Sequence, residues 1–201
     1  MGKRSDFERK PRDFYPTPRV AVERVSDVLS VGHVGGTFCE PCAGDGALVN
    51  SVIDLLGYVC TYSFDIEPGH FSVDEGDASN RETMQRVRVA CPTIITNPPW
   101  DRKMLSPMLD LWLDLDFEVW LLLSGDFMHN VWTSPYMQRC SHVVPVGRLK
   151  WEPGSKYTGK DNCAWYRFQK RPCDTLFLPR VRKSVQEKAM DDLIGGDRDL
   201  Y

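Results

Sequence analysis

The stretch that most constrains the fold is a proline pair that directly follows a short apolar run. The run Thr93–Thr96 has the composition of a buried strand, and Asn97, Pro98, Pro99 and Trp100 come next. Neither proline ring has an N–H to give to a sheet ladder, and Pro99 confines Pro98 to extended backbone. The chain must therefore leave the sheet at a rigid corner after residue 96.

The corner carries groups that suit a planar amine. The side-chain amide of Asn97 and the carbonyl of Pro98 supply two hydrogen-bond acceptors, and the ring of Trp100 supplies a flat surface beside them. A conjugated –NH2 group offers two donors, and the ring that bears it can stack. For these residues alone, a proline-rich turn with no ligand is the alternative. The rest of the sequence is needed to distinguish an amine-binding corner from such a turn.

Strand and helix patterns alternate on both sides of the corner. The run Thr37–Glu40 predicts a strand, residues 41–46 a glycine turn, and Ala47–Leu56 a helix that Gly57 ends. Further strands are predicted at 58–64, 73–77, 117–124, 143–148 and 163–168, and helices at 79–90 and 103–114, the last of which is given no site. This order predicts a single α/β domain that is doubly wound and Rossmann-like, with a mostly parallel seven-stranded sheet and a C-terminal antiparallel hairpin.

Acidic residues follow the strands at the edge where open α/β sheets bind ligands. Asp65 ends the second strand beside the glycine turn, where paired acceptors hold a ribose diol, and Glu67 is the alternative for that role. Asp77 ends the third strand and can accept from a nucleobase amine; a solvated turn acid or a helix N-cap is the alternative. Gly44 and Gly46 let backbone amides approach a ligand closely. We therefore expect these sites to converge with the proline corner on one crevice.

Two other segments carry candidate ligand groups. Thr17 and Pro18 have the pattern of an N-cap and a first helical residue, which predicts a helix of about 12 residues whose first amides can hold a carboxylate. The loop from Leu149 to Asp161 is basic and aromatic, which is typical of a groove for nucleic acid; an ordinary exposed loop is the alternative. This loop emerges at the ligand edge if the sixth strand runs parallel to the others.

Composition and charge narrow the class of protein. A chain of 201 residues with 42% hydrophobic residues can bury the core of one domain. No apolar run approaches the roughly 20 residues of a membrane span, and the charged N-terminus lacks a signal-peptide core, so no membrane partner is expected. The net charge of −3 argues against strong non-specific binding to nucleic acid, although basic clusters occur at 1–12 and 167–183.

The cysteines predict a reducing, cytosol-like compartment and no metal. Their number, seven, is odd, and their spacing shows no disulfide framework. Cys39 and Cys42 form a C-x-x-C pair, but no second pair follows at the spacing of a zinc site. We therefore expect free thiols and a cytoplasmic protein.

Taken in this order, the motifs resemble those of class I S-adenosylmethionine-dependent methyltransferases that methylate amines. They resemble more closely the small stand-alone adenine DNA methyltransferases of phages and prophages, including the stretch from Lys156 to Trp165. The similarity runs from Asp13 to about Phe168. It implies a methyltransferase domain at 13–170, a basic N-terminal tail at 1–12 and a C-terminal extension at 171–201, in which a short helix is predicted from Ser184 to Ile194.

The resemblance also implies a role for each motif. Residues that would hold the cofactor S-adenosylmethionine are Tyr15, Thr17, Pro18, Glu40, Pro41, Ala43, Gly44, Gly46, Asp65, Ile66, Asp77 and Ala78. The four residues of the proline corner, Asn97, Pro98, Pro99 and Trp100, match the catalytic tetrapeptide, whose last position is more often Tyr or Phe. Trp100 would stack on a base swung out of its helix. Substrate contacts are expected from the basic and aromatic loop, namely Lys150, Trp151, Lys156, Tyr157 and Lys160.

The activity implied by the resemblance is transfer of a methyl group to the exocyclic amine of adenine in DNA. Double-stranded DNA would be the partner, and the host cytoplasm the location of a phage-encoded protein. Members that recognise a DNA sequence usually carry an extra target-recognition domain, and this chain has no room for one. Adenine in RNA and a glutamine amide in a protein present the same planar –NH2 group, so both remain alternatives, as does a cofactor-binding protein without turnover.

Overall fold

One eight-stranded sheet runs through the part of the chain that the computed structural model describes, which is residues 14–30, 36–152 and 154–179. The strands are β1 (Thr37–Glu40), β2 (Val59–Asp65), β3 (Asp74–Glu75), β4 (Thr93–Thr96), β5 (Glu118–Ser124), β6 (Cys140–Arg148), β7 (Asn162–Phe168) and β8 (Leu176–Phe177). The helices are α1 (Arg19–Glu23), α2 (Ser26–Ser30), α3 (Ala47–Leu56), α4 (Arg81–Ala90), α5 (Arg102–Asp114) and α6 (Ser134–Met137). None of the helices in these ranges is long and apolar enough to cross a membrane.

The strand order is β3-β2-β1-β4-β5-β7-β6-β8. The first five strands in this order are parallel, whereas β7 is antiparallel to both of its neighbours, β5 and β6. The predicted α/β architecture with a C-terminal antiparallel hairpin is therefore confirmed, with β8 as an eighth strand. Because β7 is antiparallel to both β5 and β6, those two strands run in the same direction. The loop after β6 therefore emerges at the carboxyl edge of the sheet.

Apolar side chains cover both faces of the sheet. Successive residues of β4 point to opposite sides, so Ile94 packs in one cluster and Ile95 in the other. Helix α5 covers the first cluster with Leu105 and Leu109, and α3 covers the second with Leu48. Each such fully buried aliphatic side chain contributes about 1.5–3 kcal/mol to folding. Because apolar layers cover both faces of the sheet, the polar residues at the strand ends are left at its carboxyl edge.

The helix ends follow from local side-chain chemistry. The side chain of Asn80 caps α4 by accepting from the N–H of Thr83 at 2.9 Å, and that of Asp101 caps α5 by accepting from the N–H of Lys103 at 2.8 Å. Helix α3 stops at Gly57, whose φ of 65° lies in the left-handed region. The cap at residue 80 also shows that Asp77 is not the N-cap of α4.

Several predicted elements differ from the structure. The single N-terminal helix of about 12 residues is wrong: the chain forms α1 and α2 with a turn between them, and α1 starts after Pro18 rather than Thr17. For Asp126 to Cys140 the sequence predicts a helix in two pieces broken near Pro135. The structure instead has two 3-10 turns, Phe127–His129 and Val131–Thr133, before α6. The predicted tail at 1–12 and the helix predicted from Ser184 lie outside the described residues.

The predicted domain boundary at residue 170 also falls short of what the structure describes. Strand β8 pairs with β6 in parallel, with Leu176 opposite His142. The hydroxyl of Thr175 donates to the carbonyl of Cys140 at 2.7 Å. The domain therefore continues through β8, which its two-residue length hid from any periodicity in the sequence.

Candidate active site

A cavity of about 1010 Å³ opens at the carboxyl edge of β1, β2 and β4. Glu40, Asp65, Asp77 and Asn97 all line it, so the four strand ends converge on one hollow as the sequence predicted. Of the residues expected to hold a cofactor, those that line the cavity are Tyr15, Thr17, Glu40, Pro41, Ala43, Gly44, Asp65, Ile66, Asp77 and Ala78.

Pro18 and Gly46 are the two expected cofactor residues that do not line this cavity. Pro18 is the residue before α1 and borders a second, smaller cavity instead. Gly46 is the N-cap of α3 with a φ of 81°, and its N–H donates to the carbonyl of Ala43 at 2.8 Å. Its glycine identity therefore serves the turn into the helix, a conformation that side chains disfavour.

The glycine turn and the end of β2 are joined by a direct hydrogen bond. The N–H of Gly44, at a φ of 56°, donates to Asp65 Oδ2 at 2.9 Å, and the N–H of Glu67 donates to Asp65 Oδ1 at 2.9 Å. Each carboxylate oxygen can accept a second hydrogen bond. The carboxylate of Asp65 is thus held in a fixed direction and keeps acceptor capacity at the cavity wall.

Phe14 and Gly69 close one side of this turn, and neither was assigned a role from the sequence. The N–H of Gly69 donates to the carbonyl of Gly44 at 2.9 Å. A Cβ at residue 69 would lie 2.5 Å from Phe14 Cζ, so no side chain fits there while the ring is in place. The dipeptide Pro68-Gly69 is the only signal in the sequence, and it indicates a turn without indicating a ligand.

Asp77 lies at the far end of the cavity with one oxygen engaged. Its Oδ1 accepts from the N–H of Ser79 at 2.8 Å and from the Ser79 hydroxyl at 2.6 Å. These bonds hold the side chain in an Asx turn and do not use Oδ2. The neighbouring Ala78 is buried, and its carbonyl accepts from the indole N–H of Trp112 at 3.0 Å. This end of the cavity therefore combines a carboxylate acceptor with a rigid backbone.

Glu40 is the most unusual polar group of the site. It is 1% exposed, and its Oε2 has no hydrogen-bond partner among the described residues. Burial raises its pKa well above the usual range and the backbone N–H of Asn97 opposes this, while the nearby carboxylates of Asp65 and Asp45 raise it further. A buried carboxyl group with an unpartnered oxygen on a ligand cavity favours a cation as its missing partner.

The side-chain amide of Asn97 is held at its donor end. Its Nδ2 donates to Thr17 Oγ1 at 3.1 Å, and its backbone N–H is the group that hydrogen bonds to Glu40. The acceptor oxygen of the amide is not consumed by either bond. Pro99 also lines the cavity, whereas the ring of Pro98 is buried behind it.

Trp100 does not take the position that the sequence suggested. Its indole N–H donates to the carbonyl of Leu122 at 3.0 Å, and the ring packs against both core clusters rather than lining the cavity. Its ring centroid lies 5.9 Å from that of Trp151, edge to face. A tryptophan has an N–H that can be satisfied by a strand carbonyl, and that bond ties the corner to β5.

Helix α5 contributes a wall of the cavity, which corrects its assignment as a helix without a site. The lining residues are Lys103, Met104, Pro107 and Met108. Its core stripe is formed instead by Leu105, Leu109 and Trp112. Helical spacing identifies the apolar residues but cannot separate those that face the core from those that face a ligand.

The loop after β6 lies beside the corner. Trp151 is 6.2 Å from the ring of Tyr15, and a second cavity of about 540 Å³ lies between this loop and the N-terminal segment. The loop residues that line the second cavity are Lys150, Trp151, Glu152, Gly154, Ser155 and Lys156. The other two residues expected to contact substrate, Tyr157 and Lys160, line neither cavity.

The cysteines do not supply reactive groups to the site. All seven are free thiols. Cys42 lines the main cavity, and burial together with the charges of Asp65 and Glu40 raises its pKa. A thiol with a raised pKa stays protonated and is a weak nucleophile and metal ligand. Among the described residues there is no group of three or more His, Cys, Asp or Glu side chains that could hold a metal ion.

An open, mostly parallel α/β sheet with a ligand cavity at the carboxyl ends of its strands defines a Rossmann-like protein. The chain is similar to the methyltransferase subunit of a type I restriction-modification system from Streptococcus thermophilus, with a TM-score of 0.61 over 90% of the chain at 8% identity. It is also similar to protein 1320 of Thermoplasma acidophilum, with a TM-score of 0.50, 15% identity, and 74% of this chain and 84% of that one covered.

These comparisons support the fold class that the sequence predicted. The chain has the Rossmann-like fold found in methyltransferases. It spans about half the length of the restriction-modification subunit, 53% of that chain. No protein-family model matches the sequence, and a comparison with curated proteins gives no match.

Proposed function

We propose that the protein is an S-adenosylmethionine-dependent methyltransferase that methylates the exocyclic amine of adenine in DNA. The observation that carries this proposal is the single cavity that is lined by Glu40, the acids Asp65 and Asp77, and Asn97. Among the described residues Oε2 of Glu40 has no hydrogen-bond partner. Cofactor groups and amine-binding groups thereby share one space, as a direct transfer between two bound molecules requires.

The residues of the cavity fit S-adenosylmethionine group by group. The unpartnered carboxyl oxygen of Glu40 suits the ammonium group of the methionine part. The remaining acceptor capacity of Asp65 suits the ribose hydroxyls, and Asp77 suits the adenine amine. Ile66, 57% exposed, and Met104 on α5 give apolar surface for the adenine ring. When bound, the cofactor supplies a sulfonium methyl group as the electrophile.

The proline corner would prepare the amine for attack. The lone pair of an adenine amine is delocalised into the ring, which makes it a poor nucleophile. Hydrogen bonds from its two N–H groups to Asn97 Oδ1 and to the Pro98 carbonyl favour the pyramidal, partly positive nitrogen that develops in the transition state. The product nitrogen is acidic enough to lose its proton to water, so the corner needs no strong base.

An aromatic support for the target base would come from the corner and its neighbours. Trp100 belongs to the catalytic tetrapeptide by resemblance, while Phe14 and Tyr15 are the aromatic residues that line the cavity. Trp100 remains part of the corner, and Tyr15, whose ring centroid is 6.2 Å from that of Trp151, extends the aromatic surface beside it. Bases extruded from a duplex are held on such surfaces.

Nucleic acid is favoured as the substrate by the basic and aromatic second cavity. Lys150 and Lys156 border it together with Trp151, and lysines with an aromatic ring suit a phosphate backbone and an unstacked base. The neighbour from Streptococcus thermophilus is the methyltransferase subunit of a restriction-modification system, which supports DNA among the nucleic acids. Adenine in RNA and a glutamine amide in a protein are the competing substrates.

The proposal is tested by incubating the protein with methyl-labelled S-adenosylmethionine and separate pools of duplex DNA, RNA and protein. We expect label in N6-methyladenine of the DNA pool, and an initial rate of labelling lower by on the order of 100-fold or more with the Asn97→Ala variant. Label only in RNA or only in protein would overturn the DNA substrate while leaving the methyltransferase activity in place. Calorimetric binding of the cofactor without label in any pool would identify a binding protein without turnover.

A further inference from the structure

The side chain of Thr17 has no role in the helix that follows it. Helix α1 begins at Arg19 with Pro18 as its N-cap, and no side chain caps it. Thr17 is nevertheless buried, at 7% exposed, and lines both the main cavity and the second one. A buried hydroxyl must find a hydrogen-bond partner, and the partner here is the side-chain amide of Asn97, 3.1 Å away.

The orientation of the Asn97 amide decides whether the corner can accept from an amine. The terminal torsion of asparagine is soft and roughly two-fold, so packing alone does not select which end faces a ligand. Nδ2 donates to Thr17 Oγ1, which anchors the amide and leaves its oxygen for the substrate. A hydroxyl can also donate, so the two donors of the incoming amine then select the arrangement in which the amide oxygen faces them. If the amide were turned over, its –NH2 group would meet the donors of the incoming amine, and no bond would form.

We propose that Thr17 is a positioning residue that anchors the Asn97 amide at the proline corner, so that the amide oxygen is in place for the substrate amine. This inference rests on the proposed function, because it assigns Thr17 to the amine side of the reaction. It differs from the role implied by resemblance, in which Thr17 helps to hold the cofactor. The two roles give different kinetics: loss of a positioning residue lowers the transfer rate with cofactor saturating, whereas loss of a cofactor ligand raises the cofactor Kd.

The test compares Thr17→Val, which keeps the shape and removes the hydroxyl, with Thr17→Ser, which keeps the hydroxyl. Thr93→Val is the matched control, because Thr93 begins the same strand that Asn97 follows and borders a different cavity. In single-turnover transfer to duplex DNA at saturating cofactor, we expect Thr17→Val to be slower by ~10- to 100-fold, as misplaced catalytic groups are. Thr17→Ser and Thr93→Val should stay within about 3-fold of the parent rate, and cofactor affinity should be unchanged throughout.

A second readout does not depend on turnover. In unliganded Thr17→Val, the NMR signals of the Asn97 side-chain amide should shift and its protons should exchange faster with solvent. In Thr17→Ser both the shifts and the exchange rates should match those of the parent protein. An unchanged Asn97 amide in Thr17→Val overturns the positioning role, and so does a variant that loses cofactor affinity but keeps the saturated rate. If the parent protein methylates none of the three pools, the proposed function fails, and the amide signals alone decide the role of Thr17.

Discussion

A buried carboxyl group without a full set of partners binds a proton more tightly than an exposed one, and Glu40 is such a group. Its pKa is raised above 4.5, chiefly by burial. A cofactor ammonium beside it favours the charged form and therefore lowers that pKa. We predict that cofactor binding releases a proton from Glu40. The affinity for the cofactor should therefore rise with pH until the pH exceeds the pKa of Glu40 in the unliganded protein.

Calorimetry in buffers of different ionisation enthalpy, run at a series of pH values above 4.5, measures this proton release. Glu40→Gln should remove it. The same variant should also remove a stability slope: because the folded pKa lies above the unfolded one, the unliganded protein loses stability as pH rises from 4.5 toward the folded pKa. Equal proton release in the parent protein and in Glu40→Gln would show that another group titrates.

Asn97 can be separated from the cofactor residues by its effect on rate alone. We predict that Asn97→Ala lowers the single-turnover rate by on the order of 100-fold or more, since it removes a fixed dipole that stabilises charge in the transition state. Cofactor affinity, measured by calorimetry, should change little. Full turnover of Asn97→Ala would contradict the role given to the proline corner.

Asp65 should show the opposite pattern. Removing its carboxylate takes away a charged acceptor, and hydrogen bonds to charged groups contribute about 1.5–3 kcal/mol each. We predict that Asp65→Ala weakens cofactor binding by roughly 10- to 100-fold in calorimetry. Asp54→Ala is the control, since Asp54 is an exposed helix residue that pairs with Arg19 at 3.0 Å, away from the cavity. Comparable affinity in the two variants would argue against a ribose contact by Asp65.

At the scale of the element, the loop after β6 depends on a close contact between Gly159 and Trp151. A Cβ at residue 159 would lie 2.9 Å from Trp151 Cδ1, while the N–H of Gly159 donates to the carbonyl of Leu149 at 2.7 Å. The indole must therefore move if a side chain is introduced. We predict that Gly159→Ala lowers the free energy of unfolding by ~1–3 kcal/mol, as overpacking does, and weakens DNA binding.

A double variant distinguishes this contact from a general effect on the loop. In a Trp151→Ala background the ring is gone, so adding Gly159→Ala should cost little further stability in urea unfolding. Cofactor affinity should be the same in all three variants, because neither residue lines the main cavity. Additive losses in the double variant would show that the two residues act independently.

The elements that the sequence identified are those whose position follows from strand order. Parallel strands end at one edge, so a glycine turn after β1, an acid after β2 and a proline corner after β4 had to meet. The wall formed by Met104 and Pro107 could not be found in this way, because an apolar helix face looks the same whether it covers a core or a ligand.

The predictions for Thr17 and for Trp100 differ from the structure for related physical reasons. Thr17 and Pro18 fit the pattern of a helix start, yet the Thr17 hydroxyl is bonded to an amide 80 positions away in the chain, a contact that no local pattern encodes. Trp100 follows a proline corner and was expected to be open, but the carbonyl of Leu122 satisfies its N–H. In both cases a long-range hydrogen bond decides the position of the side chain.

In the whole molecule, the two halves of the sheet support different parts of the site. Strands β1, β2 and β3 lead into the groups that suit the cofactor, and the loop between β6 and β7 carries the basic and aromatic residues. The proline corner lies between them, since β4 pairs with β1 on one side and with β5 on the other. Under the proposed function, transfer between two bound molecules would take place at the centre of the sheet.

Removing β8, at the far edge of the sheet, tests whether the two halves of the sheet support the cofactor and the substrate separately. No residue of β8 lines the cavity. Besides the ladder that pairs β8 with β6, three hydrogen bonds hold the segment. They run from the N–H of Cys173 to the carbonyl of Gln138, from the Thr175 hydroxyl to the carbonyl of Cys140, and from the N–H of Leu178 to the carbonyl of Val143. The side chains of its two strand residues are more than half exposed, so hydrogen bonds and the packing of the partly buried Leu178 against the core supply its contribution.

We predict that a chain ending at residue 170 is less stable than one ending at 179 by at least ~3 kcal/mol, taking about 1 kcal/mol for each of the three bonds outside the ladder. Removing β8 also uncovers the edge of β6, which should make the shorter chain more prone to aggregate. Cofactor affinity, compared between the two truncated chains by calorimetry, should be the same because β8 and the cofactor strands are at opposite ends of the sheet order. A loss of affinity in step with stability would mean that the halves of the sheet are coupled, and the division proposed for the site would fail.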